Sequence, residues 1–152
     1  MINPQQPILL VEDSDEDYEA TLRAFRSAHV ANPLHRCATG DEALDFLYQR
    51  GEFAGPEAAP RPALILLDLN LPGTDGREVL KILKADAALK TIPVIILTTS
   101  RSNEDVQRCY ELGANTYVEK PVTFDGFIEA VERLRDYWLK VAILPREQGE
   151  GP

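Results

Sequence analysis

Short, fully apolar runs alternate with longer amphipathic segments along this chain. Residues 8–11, 63–67 and 93–97 are almost entirely apolar and are bounded by turn-forming or polar residues. Such runs are typical of strands that are buried on both faces of a sheet. Residues 34–38 and 115–119 are less apolar and predict two further strands, which gives five in total.

Amphipathic segments follow each of these strands and predict five helices. The first helix is expected over about 15–28, a capping box that begins at Thr39 marks the start of the second, and the last follows an apolar stripe from Phe124 to Val141. Residues 49–62 contain three prolines and two glycines and have little apolar periodicity. We expect a loop there, longer than most connections and therefore either functional or mobile.

Strands that alternate with helices imply a parallel sheet with helices packed on both of its faces. In sheets of this kind, ligands bind beyond the carboxyl ends of the strands. The polar residues that directly follow the predicted strands are therefore the first candidates for a functional site.

Five polar residues lie at the carboxyl ends of four predicted strands: Glu12, Asp13, Asp68, Thr98 and Lys120. Parallel strands bring these ends to one rim, where three carboxylates would repel one another without a cation between them. Mg²⁺ suits such a site because it binds oxygen ligands and commonly pairs with phosphate. The hydroxyl of Thr98 and the ammonium of Lys120 suit phosphoryl oxygens. A partly desolvated Asp68 beside Mg²⁺ and a lysine is a known type of nucleophile, which forms an aspartyl-phosphate.

Other polar residues near the strand ends have simpler interpretations. Asp15, Glu16 and Asp17 are acids of the kind expected at the positive end of the first helix dipole. Residues 98–100 form a run of three hydroxyl side chains ahead of the fourth helix.

Length and charge narrow the functional classes. The chain of 152 residues is predicted to be one domain, with a core over 8–144 and flexible tails at 1–7 and 145–152. Its net charge of −9 and isoelectric point near 4.7 argue against nucleic acid and anionic membranes as partners, because both attract basic surfaces. No secretion signal and no apolar run of membrane-spanning length are found, so we expect a cytoplasmic protein.

The motifs around the strand ends resemble those of the receiver domain of two-component response regulators. The resemblance rests on residues 9–13, Asp68 with residues 71–76, residues 93–98 and residues 117–121, and it extends over about 8–144. It implies a flavodoxin-like α/β fold, in which a doubly wound (βα)5 chain forms a five-stranded parallel sheet of order 2-1-3-4-5.

The resemblance also implies a metal site and a phosphoacceptor. Asp68 corresponds to the acceptor, which carries the 4-aspartylphosphate. Asp13 and Asp68 would bind Mg²⁺ directly, Glu12 would act through water, and the backbone carbonyl of Asn70 would complete the protein ligands. Mn²⁺ or Ca²⁺ would substitute for Mg²⁺ at such a site.

Further residues take roles in switching by the same resemblance. Thr98 and Lys120 would bind the phosphoryl oxygens. Tyr117 would be the switch aromatic, which rotates inward when Thr98 moves. Pro121 would follow a cis peptide bond, a geometry that costs little only before proline.

Two features depart from the chemotaxis-type receiver and indicate a subfamily. The loop over 49–62 is longer, and Thr99 is bulkier than the small residue usual after the switch threonine. Together, this loop and residues 136–140 resemble those of the small receivers that are paired with bacterial and cyanobacterial phytochromes.

The expected upstream partner is therefore a sensor histidine kinase, with a bacteriophytochrome among the candidates. Only residues 145–152 follow the fifth helix, so we expect output to a downstream protein or a histidine phosphotransfer domain.

The last helix carries more apolar surface than one face can bury. Tyr137, Trp138, Val141, Ile143 and Leu144 cannot all point inward from a single helix face. We expect a homodimer through the fourth helix, the fifth strand and the fifth helix, because exposed aromatic patches usually mark interfaces. The alternative is extra core beneath the long loop.

Three other functions fit parts of the pattern. A phosphatase of the haloacid-dehalogenase type needs a second acid two residues after its nucleophile, where this chain has Asn70. A flavin-binding module would need phosphate-cradling loops at the strand ends, whereas the first loop is acidic. A pseudo-receiver that acts as a phosphorylation-independent scaffold stays open, although the set of site residues is complete.

Overall fold

A five-stranded parallel sheet forms the centre of the molecule. The computed structural model describes residues 6–27, 31–55 and 57–145. The strands are β1 (Ile8–Val11), β2 (Leu34–Cys37), β3 (Leu64–Leu67), β4 (Val94–Thr98) and β5 (Thr116–Glu119). All neighbours pair in parallel and the order is β2-β1-β3-β4-β5, which confirms the predicted flavodoxin-like fold. Most of the two tails predicted to be flexible lies outside the described residues.

Five α-helices connect or follow the strands. They are α1 (Asp15–Arg26), α2 (Gly40–Tyr48), α3 (Gly76–Ala85), α4 (Asn103–Leu112) and α5 (Phe124–Asp136). Each helix is preceded by an N-cap residue whose side chain accepts a backbone N–H from the first turn: Ser14, Thr39, Asp75, Ser102 and Thr123. The sequence therefore determines where the helices start beside the sheet. The predicted last residue of the first helix, Ala28, lies outside the described residues.

The central strands are buried on both faces and separate two apolar cores. Leu9, Val11 and Leu67 point into the core beneath α2, α3 and α4. Their neighbours in the alternation, Leu10 and Leu66, point into the core beneath α1 and α5. This two-sided packing leaves the ends of the strands as the exposed part of the sheet.

The long loop over 49–62 packs against the edge of the sheet beside β2. It contains a short 3-10 turn, Gly51–Phe53, and the ring of Phe53 lies 5.2 Å from the ring of Phe46 in an edge-to-face contact. Gln49 Nε2 donates to the carbonyl of Ala59 at 2.8 Å, and Ala59 itself is buried. The described part of the loop is therefore held by specific contacts.

Both ends of the predicted apolar stripe of the last helix differ from the prediction. Phe127 and Val131 are buried as expected, but Phe124 and Val141 are 41% and 69% exposed. The chain changes to π-helical geometry over Tyr137–Val141, so the side-chain spacing predicted for a continuous α-helix does not hold there. Trp138, Leu139 and Leu144 pack on the core beneath α1 and α5. That core is on the opposite face of the sheet from Phe53, so these residues do not fill space beneath the long loop.

The prediction of a cis peptide bond before Pro121 was wrong. None of the peptide bonds in the described residues is cis. The trans form is favoured by about 0.5–1 kcal/mol even before proline. The backbone just before this trans bond is held by the sheet, since Lys120 N donates to the carbonyl of Thr98 at 2.7 Å.

Among the described residues, no helix has both the length and the hydropathy that a membrane-spanning segment requires.

Candidate functional site

The carboxyl ends of four strands meet at one rim of the sheet, as the sequence predicts. Backbone hydrogen bonds extend the ladder by one residue beyond the strands: Glu12 N to Cys37 O at 2.9 Å and Asp68 N to Val11 O at 3.1 Å. The side chains that leave the sheet here are therefore attached to a fixed backbone. Because Val11 pairs with Leu67, the following residues Glu12 and Asp68 are neighbours across the sheet.

Lys120 lies at the centre of this rim. Its ammonium donates to Glu12 Oε1 at 2.6 Å, to Asp17 Oδ2 at 2.8 Å and to Asp68 Oδ2 at 3.0 Å. The side chains of Lys120, Glu12 and Asp68 are almost completely buried, whereas that of Asp17 is partly exposed. One ammonium thus contacts three acids: one directly after β1, one in the first turn of α1 and one directly after β3.

Asp17 is a site residue that the sequence analysis missed, because it was explained by the helix dipole. The hydroxyl of Ser14 accepts the N–H of Asp17 and fixes the first turn of α1. Asp17 then shares a face with Thr21 and Ala24, both buried, at the spacing i, i+4, i+7. This spacing was the available signal that Asp17 points inward.

Burial and ion pairing act in opposite directions on the two central groups. Burial raises the pKa of Glu12 to about 7, although the bonds from Lys120 and from the backbone of Ser14 oppose the shift. Burial lowers the pKa of Lys120, but hydrogen bonds to Asp17 and Glu12 outweigh it, so the pKa is raised overall. The ammonium is consequently the fixed charge of the site.

Three of the acids can hold a metal ion. Glu12, Asp13 and Asp68 each offer a carboxylate oxygen, and these oxygens all lie within 4.8 Å of one another. Oxygen ligands at this spacing suit a hard divalent cation. Asp13 is the exposed member of the group. Both oxygens of Glu12 already accept hydrogen bonds, from Lys120 Nζ and from Ser14 N, which fits a contact through water better than a direct one.

Asn70 lies at the edge of the same site. Its backbone N–H donates to Asp68 Oδ1 at 3.3 Å, and its side chain is on the exposed surface. Asp68 is therefore held from two sides, by Asn70 N on one oxygen and by Lys120 Nζ on the other.

The turn after Asp68 contains a close contact that only glycine permits. Gly76 N donates to the carbonyl of Leu69 at 2.9 Å, which brings the start of α3 against the backbone of Asp68. A Cβ atom on Gly76 would lie 2.1 Å from the carbonyl oxygen of Asp68. The sequence showed a turn here but not this contact.

Thr98 and Tyr117 meet at Ser100. Thr98 is fully buried at the end of β4, and its hydroxyl accepts the N–H of Ser100 at 3.4 Å. Tyr117 is partly buried against the core, and its hydroxyl donates to the carbonyl of Ser100 at 2.8 Å. The ring of Tyr117 thus lies in the inward position. The predicted switch residues are brought together through a residue to which the sequence analysis gave no role.

A cavity of about 520 Å³ opens beside the ammonium of Lys120. Asp17, Thr99 and Pro121 also line it, so the bulkier residue after Thr98 borders the approach to the site. The rim therefore combines a buried carboxylate, an adjacent cation and a set of oxygens spaced for a metal ion, and a cavity opens beside the cation.

Comparison with known proteins agrees with this geometry. The family model of the response regulator receiver domain matches residues 8–132. The response regulator Rcp1 of Synechocystis sp. is 42% identical over 143 residues, which cover 94% of this chain and 95% of Rcp1.

Two solved structures are similar over nearly the whole chain. The phosphorylated cyanobacterial phytochrome response regulator RcpA superposes with a TM-score of 0.88 at 40% identity, over 93% of this chain and 99% of RcpA. The Mn²⁺-bound form of Rcp1 superposes with a TM-score of 0.87 at 41% identity, over 92% of this chain and 99% of Rcp1. Proteins of this family are signalling proteins rather than metabolic enzymes. The chain belongs to the response regulator receiver domain family, and its close homologues include cyanobacterial phytochrome response regulators.

Proposed function

We propose that this chain is a single-domain response regulator that accepts a phosphoryl group from a sensor histidine kinase onto Asp68. The observation that carries the proposal is the environment of Asp68: a buried carboxylate, 3.0 Å from the ammonium of Lys120 and beside Glu12 and Asp13. Such a group is a poor structural element, because burying several acids around one lysine costs desolvation energy. It is a suitable nucleophile for a phosphoryl group.

In the proposed reaction, a carboxylate oxygen of Asp68 attacks the phosphorus of a phosphohistidine. The new O–P bond forms as the N–P bond breaks, and the electron pair of that bond returns to the imidazole nitrogen of the kinase. Lys120 is placed to neutralise charge on the transferred group, which is the main requirement of phosphoryl transfer. Thr98, whose hydroxyl is at the same rim, would donate a hydrogen bond to a phosphoryl oxygen.

Mg²⁺ is the metal proposed for this step, held by Asp13, Asp68 and the backbone carbonyl of Asn70, with Glu12 acting through water. When bound, it supplies positive charge to the phosphoryl oxygens. The three carboxylates within 4.8 Å of one another support a divalent site, and one relative, Rcp1, has been solved with Mn²⁺. Mn²⁺ and Ca²⁺ are proposed as substitutes.

The upstream partner is proposed to be a phytochrome-type histidine kinase. The support is the similarity, near 40% identity, to a phytochrome response regulator over 93% of this chain. Downstream, Thr98 and Tyr117 would pass the phosphorylation state to a protein partner or a histidine phosphotransfer domain, because both contact Ser100.

A homodimer through α4, β5 and α5 is proposed as the second interaction. Tyr110, Tyr137, Val141 and Ile143 are between 49% and 95% exposed on this side of the molecule. Beside them, a groove of about 540 Å³ between β5 and α5 is lined largely by apolar side chains. We expect Tyr137→Glu to weaken self-association in sedimentation, whereas Tyr48→Glu on α2 should not. A monomer at high concentration, with or without phosphorylation, would contradict the dimer.

The acceptor assignment is tested by incubating the protein with Mg²⁺ and a small acyl phosphate. Intact mass spectrometry should show one added phosphoryl group, which hydroxylamine removes. Asp68→Asn should abolish the added mass, whereas Asp15→Asn, a change at an exposed acid nearby, should not. Equal labelling of Asp68→Asn would refute the acceptor assignment.

The upstream partner is tested by phosphotransfer from an autophosphorylated kinase. Transfer from a phytochrome kinase should be faster than transfer from an unrelated kinase.

A further inference from the structure

Ser100 connects three parts of the molecule. Its N–H donates to the hydroxyl of Thr98 at 3.4 Å, and its carbonyl accepts the hydroxyl of Tyr117 at 2.8 Å. Its own hydroxyl donates to Asp105 Oδ2, in the first turn of α4, at 2.6 Å. The position of Ser100 therefore determines whether the ring of Tyr117 has a hydrogen-bond acceptor in the inward position.

Arg77 holds the acid on which Ser100 depends. Its Nε donates to Asp105 Oδ1 and its Nη2 to Asp105 Oδ2, both at 2.7 Å. This two-point contact fixes the orientation of the carboxylate as well as its charge. Bonds from Arg77 and Ser100 lower the pKa of Asp105 to about 2. A second acid, Asp75, accepts from Arg77 Nη1 at 3.0 Å and ties the arginine to the turn after β3.

The location of Arg77 connects this network to the rim. Arg77 directly follows Gly76, the residue that lies against the backbone carbonyl of Asp68. The start of α3 therefore contacts the acceptor segment through Gly76 and the start of α4 through Arg77. These two contacts form a continuous path from Asp68 to Tyr117 by way of Asp105 and Ser100.

We propose that Arg77 is a positioning residue that holds the switch aromatic inward: its paired contact with Asp105 fixes Ser100, whose carbonyl holds the hydroxyl of Tyr117. The proposal rests on the proposed function of this chain as a phosphorylation switch. The geometry of the contact is what supports a positioning role: two nitrogens of Arg77 align with the two oxygens of Asp105, and the same carboxylate accepts the hydroxyl of Ser100.

The position of Tyr117 can be measured by ¹⁹F NMR of protein that carries 3-fluorotyrosine, with the resonance assigned by Tyr117→Phe. Arg77→Gln and Ser100→Ala should each move this resonance toward the position of an exposed tyrosine. Arg77→Lys should move it nearly as far as Arg77→Gln, because a lysine keeps the charge but not the paired contact. Glu129→Gln, which breaks the exposed pair with Arg133 on α5, is the matched control and should leave it in place.

A double variant separates a positioning role from general loosening. If Arg77 acts through Ser100, then Arg77→Gln in the Ser100→Ala protein should cause no further shift of the Tyr117 resonance. Additive shifts, or an unchanged resonance in Arg77→Gln, would overturn the proposal. Urea unfolding of every variant verifies that the compared proteins are folded.

The outcome is independent of whether Asp68 is the acceptor, because the resonance is read without a phosphodonor. Failure of the wild-type protein to take up a phosphoryl group would refute the proposed function and leave the Tyr117 result intact. Arg77→Gln should still be labelled by a small acyl phosphate, at a rate within about threefold of wild type. Loss of labelling with an unmoved Tyr117 resonance would overturn the positioning role, since Arg77 would then act on the acceptor itself.

Discussion

Two cations each join acids from different elements, and their surroundings are opposite. Lys120 is 5% exposed and binds Glu12 and Asp68, which are buried as well. Arg77 is 32% exposed and binds Asp105 and Asp75 near the surface. Lysine presents a compact charge with three donors, whereas arginine presents a flat fork that fixes the orientation of a carboxylate.

The difference in burial is consistent with a chemical role proposed for the cluster around Lys120 and a positioning role proposed for the cluster around Arg77. Buried ionic clusters rarely stabilise a fold more than apolar residues of similar volume. The cluster around Lys120 is thus better explained by the proposed binding of a metal ion and a phosphoryl group. The cluster around Arg77 lies closer to the surface, and its two-point contact with Asp105 joins the start of α3 to the start of α4 and, through Ser100, to the loop after β4.

Removing the buried cation should have the largest effect on stability. Lys120→Met keeps much of the volume but leaves Glu12 and Asp68 without their cation. We expect a loss of about 3–5 kcal/mol in the free energy of unfolding in the presence of EDTA, measured by urea denaturation. Mg²⁺ should restore part of the loss because it binds the same acids. Arg50→Met, at an exposed pair with Asp45, is the control and should cost about 0–1 kcal/mol. An equal loss of unfolding free energy in Lys120→Met and Arg50→Met would show that the buried cation contributes no more to stability than an exposed one.

Replacing Gly76 tests the backbone contact that joins the start of α3, which carries Arg77, to Asp68, which contacts Lys120. Gly76→Ala places a methyl group against the carbonyl of Asp68, at a point where the backbone must shift. We expect a loss of about 1–3 kcal/mol in unfolding free energy, together with slower labelling by an acyl phosphate. Lys81→Ala, at an exposed position of the same helix, should change neither quantity. Normal labelling of a destabilised Gly76→Ala protein would show that the contact serves folding alone.

Replacing Asp13 tests whether this exposed acid of the rim is a metal ligand. Asp13→Asn should weaken Mn²⁺ binding by roughly tenfold or more, as measured by titration calorimetry. The stability of the metal-free protein should not fall, because the change removes repulsion from Glu12 and Asp68. Asp15→Asn alters an acid that is paired with Arg36 and should leave the affinity unchanged. Unaltered Mn²⁺ affinity in Asp13→Asn would exclude Asp13 as a ligand.

His35 provides a smaller effect, from a base whose buried Nε2 has no partner in the described residues. Its ring lies 4.4 Å from that of Phe46, and burial lowers its pKa below the ordinary 6.5, although Glu42 opposes the shift. A lowered pKa means that the unfolded chain takes up the proton first. The stability that the neutral form of His35 contributes is therefore fully present above pH 6.5 and is lost as the pH drops below that value.

We therefore expect His35→Phe to flatten the decline in melting temperature below pH 6.5. His29→Gln, at the other histidine of the sequence, is the control. A decline in His35→Phe as steep as in the wild-type protein would exclude His35 as its source.

The rim could be predicted from the sequence because it depends on topology. Apolar runs such as residues 63–67 identify buried strands, and parallel strands must bring Glu12, Asp68, Thr98 and Lys120 to one edge. No knowledge of helix rotation is needed for that conclusion. The strand order was confirmed as well.

The residues that were missed depend on how helices rotate and pack. Asp17 and Asp105 each look like ordinary acids in a first helical turn, yet one binds Lys120 and the other Arg77. Arg135 is buried and donates to the hydroxyl of Ser27 at 2.9 Å and to the carbonyl of Ala24 at the end of α1. Local pattern can show that a residue such as Asp17 points inward, but it cannot show which partner the residue contacts, because the partners come from elements far apart in the chain.

Chemical labelling identifies most directly which residue accepts the phosphoryl group. Protein incubated with Mg²⁺ and a small acyl phosphate is reduced with borohydride, which converts an aspartyl-phosphate to homoserine, and the peptides are sequenced by mass spectrometry. We expect homoserine in place of Asp68, and none when EDTA replaces Mg²⁺. Homoserine in place of another acid, such as Asp13, or unmodified Asp68 in protein that has gained a phosphoryl group, would contradict it.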